Sequence, residues 1–321
     1  MAVELVKEKW TGKINEVTIG ATKEQGGTRT SVVTIGGETA MSFMHFEGEM
    51  PRKPVISIEV LDMVPDDWAK VLTKPYEGVL DKPGQWAKKC VEEFKADIIF
   101  LRLQSIHPDF GNTTADKAVA AVKDVISSVG VPVIIYGSGN ADKDNDILPK
   151  CSNAVHGENC LFGKASQDNY RTLAATCLAD GHTILAEAPI DVNIQKQVNI
   201  LVTEMGFPST KIIMDPTTGA LGYGLEYTYS VMERIRLAAL SGDKMLSMPF
   251  LCLIGQEAWK SKEAKALQLD QPVWGDENKR GPAWEIVTGT ALLLAGADIL
   301  VARHPESVFA LKNAIDKFMK K

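Results

Sequence analysis

Eight short apolar runs, each leading through a polar loop into a helical pattern, constrain this chain more than any other feature. The runs are PVISIEV (54–60), DIIFLRL (97–103), VPVIIYG (131–137), NCLFG (159–163), HTILAEA (182–188), KIIMD (211–215), KMLSMPF (244–250) and DILVARH (298–304). They are continuous rather than alternating, the pattern of parallel strands covered on both faces. Helical patterns lie between them, at Trp86–Ala96, Asp116–Val129, Asn169–Ala179 and Val192–Met205. A final helix carries Val308, Leu311, Ile315 and Phe318 on one stripe, as a helix packed on a sheet requires. Eight β-α units is the closing number of a (β/α)8 TIM barrel. An open doubly wound sheet is disfavoured, because EVLDMVPDDW rather than G-x-G-x-x-G follows the first strand.

Residues 1–53 lie outside this repeat. GKINEVTIG and TSVVTIGGE alternate apolar and polar residues around KEQGGTRT, a hairpin signal. The expected organisation is a β-hairpin extension over 1–53, placed under the N-terminal mouth of a barrel over 54–321. A second irregularity is the charged, Trp-containing segment IGQEAWKSKEAKALQLDQPVWGDENKRGPAWE between strands seven and eight. It reads either as a partner-facing excursion or as a plain exposed helix and loop.

A hydrophobic content of 45% in 321 residues supports a large core, and a net charge of −6 leaves no basic excess for nucleic acid. The charge-free run Ile286–Ala297 is shorter than the about 20 residues that span a bilayer. MAVELVKEKW has charges where a signal peptide needs an apolar block, so a cytoplasmic protein away from membranes is expected. Five cysteines, Cys90, Cys151, Cys160, Cys177 and Cys252, show no C-x-x-C spacing, and this predicts buried thiols and no metal site on this chain.

Function in such barrels sits at the carboxyl ends of the strands. That rule gathers Glu59, Asp62, Arg102, Gln104, Tyr136 to Asn140, Lys164, Glu187, Asp191, Asp215 to Thr218, Arg303 and His304 into one ring. The sixth loop, TTGALGYG, combines glycines that let a ligand approach the backbone with tyrosines that offer flat amphipathic faces. It reads equally as a long loop whose tyrosines pack on the rim. Sharper motifs fail. DKDND (Asp142, Asp144, Asp146) has Ile147 and Asn153 where a calcium loop needs Gly and Glu, and a helix start explains its acids better. Lys164 reads as a paired or solvated lysine before it reads as a Schiff-base former. No nucleophile stands beside a base in the pattern, so no catalytic residue is assigned.

YGSGNADKDNDILPK, GENCLFGKAS, MDPTTGALGYGLEYTYSVMERIR and DILVARHPESV, in this order along the chain, resemble the small subunit of the corrinoid/iron–sulfur protein, related to the acetyl-CoA decarbonylase/synthase delta subunit. The resemblance runs over roughly 54–318. It implies a barrel related to pterin-binding methyltransferases that pairs with a large subunit as a heterodimer. The large subunit of that family carries the [4Fe-4S] cluster, and a corrinoid (cobalamin) lies at the subunit interface against the barrel mouth. The pair moves a methyl group on cobalt from methyltetrahydrofolate methyltransferase to CO dehydrogenase/acetyl-CoA synthase in the Wood–Ljungdahl pathway of carbon fixation and acetyl-CoA synthesis. Asp180-x-His182-x-x-Leu185 lacks the glycine of the cobalt-ligating signature, so this chain is expected not to ligate cobalt. Position at the mouth selects Thr217, Thr218, Gly219, Gly222 and Tyr223 as corrinoid contacts, with Ser138, Asn140 and Glu187. Two other readings stay open: a free-standing pterin-dependent methyltransferase on the same barrel, and a Schiff-base aldolase on Lys164.

Overall fold

Runs rich in Ile, Val, Leu and Phe hide both faces of a strand when helices cover the sheet, and eight such strands can close on themselves. The computed structural model, which describes residues 6–320, does this. Eight parallel strands form a closed barrel: β3 (Val55–Leu61), β4 (Ile98–Arg102), β5 (Val133–Tyr136), β6 (Leu161–Ala165), β7 (Thr183–Glu187), β8 (Ile212–Asp215), β9 (Phe250–Cys252) and β10 (Ala297–Ala302), with β10 returning to β3. The two strands before them, β1 (Val17–Ile19) and β2 (Val33–Ile35), form an antiparallel pair.

The helices of the outer layer follow the strands in turn. They are α1 (Lys70–Thr73), α2 (Pro83–Glu92), α3 (Ala115–Ser128), α4 (Ala141–Ala154), α5 (Tyr170–Asp180), α6 (Val192–Glu204), α7 (Leu225–Leu240), α8 (Ile254–Ala258), α9 (Lys262–Lys265), α10 (Glu277–Leu294) and α11 (Pro305–Phe318). The expected stripe of α11 is buried at Val308, Leu311 and Ile315. No helix among the described residues is long and apolar enough to cross a membrane.

Two cores result from the alternation along each strand. Ile56, Ile58, Val60 and Leu101 pack outward against helices. Phe100, Ile134, Leu161, Leu185, Ile213, Leu251 and Ile299 fill the barrel, together with Val17, Ile19 and Ile35 of the hairpin. The hairpin therefore plugs the end where the strands begin. Its backbone meets the segments that precede them: Asn15 N donates to Ser247 O, Thr30 N to Gly130 O, and Gly20 N to Asn159 O. Arg29 locks the plug, donating to Glu158 at 2.9 Å and to the carbonyls of Ile126 and Val129 at the end of α3.

The strand ends shift from their sequence boundaries, and at two strands the structure shows the cause. The seventh run, placed at 244–250, becomes a 3-10 turn over Lys244–Leu246, and the strand is Phe250–Cys252. Asp243 caps that turn through Met245 N, while Pro249 has no N–H for a ladder. The fourth, placed at 159–163, starts two residues later, because Asn159 sits at φ 47° and its amide reaches across to Thr18 O and Gly20 O.

Candidate functional site

The barrel's register sets the height of each side chain at the carboxyl mouth. Leu61 pairs with Arg102, Arg102 with Tyr136, Tyr136 with Gly163, and Glu187 with Asp215. Charged ends of neighbouring strands are thus brought level.

Glu59, fully buried, is the centre of one half. Its carboxylate accepts from Arg102 Nε at 2.5 Å and from Arg303 Nε across the β10–β3 seam. Burial alone would raise its pKa, but the Arg303 and Arg102 charges outweigh it and hold the carboxyl at about 2. Arg102 also donates to Gln256 at 2.5 Å and stacks over Tyr136 at 4.6 Å; Arg303 stacks over Trp68 at 4.7 Å. Above this floor lies a cavity of about 200 Å³, walled by Trp68, Trp259, Phe110 and Gln104.

The other half is built on Lys164 and Glu187, paired at 2.6 Å. Asp215, beside Glu187 and almost wholly buried, accepts from Thr217 N. Burial, reinforced by the Glu187 charge, pushes its carboxyl up to about 8, so it is mostly protonated at neutral pH. A second cavity, about 350 Å³, opens here between Gly139, Lys164, Asn169 and Glu187.

The loop after β8 is stiff. Thr217 takes a positive φ of 59° and donates through Oγ1 to Ala188 O, Thr218 Oγ1 accepts from Leu253 N, and Gly219 N donates to Thr228 Oγ1. A Cβ on Gly219 would stand 2.4 Å from Gly224 O, so glycine is required for the loop to close on itself. The tip leans on the excursion after β9: Tyr223 OH donates to Glu263 at 2.9 Å, Trp284 Nε1 to Leu221 O, and Leu221 N to Thr288. The excursion is thereby part of the rim, with Leu269, Val273 and Trp274 exposed beside it.

Comparison with known proteins decides the family. The profile described as CO dehydrogenase/acetyl-CoA synthase delta subunit matches residues 16–311. The chain belongs to this delta-subunit family. The acetyl-CoA decarbonylase/synthase complex subunit delta of Archaeoglobus fulgidus is 41% identical over 320 residues, 98% of this chain and 70% of that one. Subunit delta 1 of Methanosarcina thermophila is 43% identical over 310 residues, 95% of this chain and 70% of that protein. The chain of this family described here thus spans about 70% of the length of these two relatives. A Coxiella burnetii dihydropteroate synthase solved with pteroic acid superposes with TM-score 0.59 at 11% identity, over 95% of this chain and all (100%) of that one. A Vibrio fischeri 7,8-dihydropteroate synthase gives 0.55 at 14%, over 88% and 100%. At these identities the likeness is one of fold.

Within the delta-subunit chain, the sequence-chosen residues fall into three groups. Gly222 and Tyr223 stand exposed at the loop tip. Thr217, Thr218 and Gly219 sit beneath them with their polar atoms engaged inside the loop. Ser138, Asn140 and Glu187 lie on another arc: Ser138 Oγ donates to Asp144, Asn140 accepts from Lys143 N as the cap of α4, and Glu187 holds Lys164. His304 also caps, accepting from Glu306 N at the start of α11. His182 lies at the opposite end, buried between Cys160 N and Ser152 O, where burial pulls it down to about 4. Trp68, Trp259 and Gln256 were not singled out from the sequence; the Trp of VPDDWAK and the Trp of IGQEAW gain meaning only once their loops fold over the mouth.

Proposed function

We propose that this chain is the small subunit of a corrinoid methyl carrier in the reductive acetyl-CoA pathway, its barrel mouth covering one face of a corrinoid held mainly by the large subunit. Delta-subunit family membership across nearly the whole chain is the observation that carries this reading. A corrinoid bound there would supply the cobalt centre that accepts and releases the methyl group.

The residues of the mouth suit a cover. Its charged groups engage one another, Glu59 with two arginines and Glu187 with Lys164, rather than standing as a nucleophile beside a base. Gly222 and Tyr223 offer an exposed glycine backbone and a flat ring at the tip of a braced loop. Thr217, Thr218 and Gly219 hold that loop to shape, and Ser138, Asn140 and Glu187 bound the facing arc. A rigid, partly apolar rim excludes water from a reduced metal centre while leaving the cover removable as a body. On this reading the [4Fe-4S] cluster resides on the large subunit, methyltetrahydrofolate methyltransferase and acetyl-CoA synthase dock transiently, and the heterodimer works in the cytoplasm. We place the division between hairpin extension and barrel after residue 53.

Co-expression with the large subunit tests the proposal. The two chains should co-purify in equal amounts with a corrinoid spectrum, and the isolated chain should show weak or no affinity for methyltetrahydrofolate. Tight binding of that pterin by the chain alone would instead make it a free-standing methyltransferase.

A further inference from the structure

At the floor of the mouth two guanidiniums share one ion-pair partner. Glu59 is a single carboxylate facing two guanidiniums, and it accepts only their Nε donors. Arg102 Nη2 finds Gln256, a neutral acceptor. Among the described residues nothing accepts from Arg102 Nη1 or from either Nη of Arg303. Yet Arg102 is 6% exposed and Arg303 8%, and both line the about 200 Å³ cavity. Asp66 and Asp67 stand on the exposed rim of that cavity and form no salt bridge among the described residues; Lys260, also on the rim, pairs with Glu257 at 2.7 Å.

The two arginines are also held still. Each is fixed on its inner edge by Glu59 and on one face by an aromatic ring, Tyr136 for Arg102 and Trp68 for Arg303. A guanidinium anchored along one edge and open along the other presents parallel N–H donors to an oxyanion, and little ordering remains to be done on binding. Two such forks in a cavity shielded by Trp68, Trp259 and Phe110 act in a low local dielectric, where an anion gains most.

We propose that this cavity is a binding site for a small oxyanion, a carboxylate or a phosphate group, held between the open edges of Arg102 and Arg303. The aromatic wall covers the apolar part of the molecule that bears it. The site does not depend on the corrinoid reading: the anion is either a free small molecule or an acidic group of whatever the mouth covers in the assembled complex.

The test uses the full isolated chain with inorganic phosphate and, separately, acetate. Trp68 and Trp259 line the cavity, so intrinsic fluorescence reports filling. A saturable change with a Kd of about 1 mM or tighter is expected for at least one probe. Arg303→Lys keeps a cation for Glu59 but loses the fork, and should weaken binding about tenfold or more. If that variant misfolds by circular dichroism, wild-type protein decides: phosphate should slow phenylglyoxal modification at Arg102 and Arg303, mapped by peptide mass spectrometry, and leave exposed Arg52 unaffected. Repeating the titration on the heterodimer separates the sources. Binding retained there means a free anion, and binding lost means that an acidic group of the complex already occupies the forks. No saturable signal up to about 20 mM, affinity unchanged in Arg303→Lys, or equal protection of Arg52 would each overturn the proposal and leave the cavity to water.

Discussion

Glu59→Gln is the perturbation that separates a charge-built mouth from an incidental cluster. The substitution keeps the volume and one carbonyl acceptor but removes the negative charge that Arg102 and Arg303 share. Both guanidiniums stay nine-tenths buried, so the variant leaves the two of them without an ion-pair partner. Breaking a buried ion pair in this way costs about 3–5 kcal/mol. With an unfolding entropy of roughly 2.1 cal/mol/K per residue over 321 residues, that is a fall of about 4–7 °C in Tm. Urea unfolding at pH 7, read where tryptophan fluorescence and far-UV circular dichroism coincide, measures it. The pH dependence has a defined sign. Glu59 is depressed to about 2 when folded, so its contribution is complete above the ordinary carboxylate range and is lost as pH falls through the folded value. The gap between wild type and variant should therefore narrow from pH 5 to pH 3. Adding Arg303→Met to Glu59→Gln removes one stranded cation, and the double variant should be less destabilised than the sum of the singles. A loss below about 1 kcal/mol at pH 7, or strict additivity, would mean that Glu59 does not hold the two arginines by charge.

Three further outcomes follow from the same structure. Asp215, raised to about 8, binds a proton when folded that it releases when unfolded, so it lowers stability as pH rises from about 4 to 8; Asp215→Asn should flatten that slope by up to about 1.4 kcal/mol per pH unit, and a difference curve showing no change between pH 6.5 and 8 would contradict it. Arg29→Ala strands Glu158 and frees the carbonyls at the end of α3, so it should cost about 3–5 kcal/mol and expose the hairpin to limited proteolysis before the barrel; simultaneous cleavage of both would argue against a separately anchored plug. Tyr223→Phe removes an exposed hydrogen bond to Glu263, so stability should move by less than about 0.5 kcal/mol while methyl transfer by the heterodimer slows; unchanged transfer rates would remove the loop tip from the site.

The barrel was legible because continuous apolar runs and a count of eight admit few architectures, and the helices Val192–Glu204 and Ala115–Ser128 carry strong period-3.6 patterns. Strand ends were less legible where distant residues decide them: Asn159 is tied to the hairpin about 140 residues earlier in the chain, and the turn at Lys244–Leu246 is fixed by a cap rather than by propensity. At the mouth, position along the strands identified Glu59, Arg102, Lys164, Glu187, Asp215 and Arg303, since the carboxyl end of each run is readable. Their pairing was not, because it depends on register around a closed sheet. Thr217 and Thr218 illustrate the remaining gap. A hydroxyl in a loop sequence looks free, and only the folded loop shows Ala188 O and Leu253 N already beside it.

The most direct measurement is the absorption spectrum and Co(I) lifetime of the large subunit purified with and without this chain. A stable corrinoid spectrum and slow loss of Co(I) to oxidant are expected only when both chains are present, with the lifetime shortened by cutting back the Gly219–Gly224 loop. A large subunit that holds and protects its corrinoid equally well alone would contradict this.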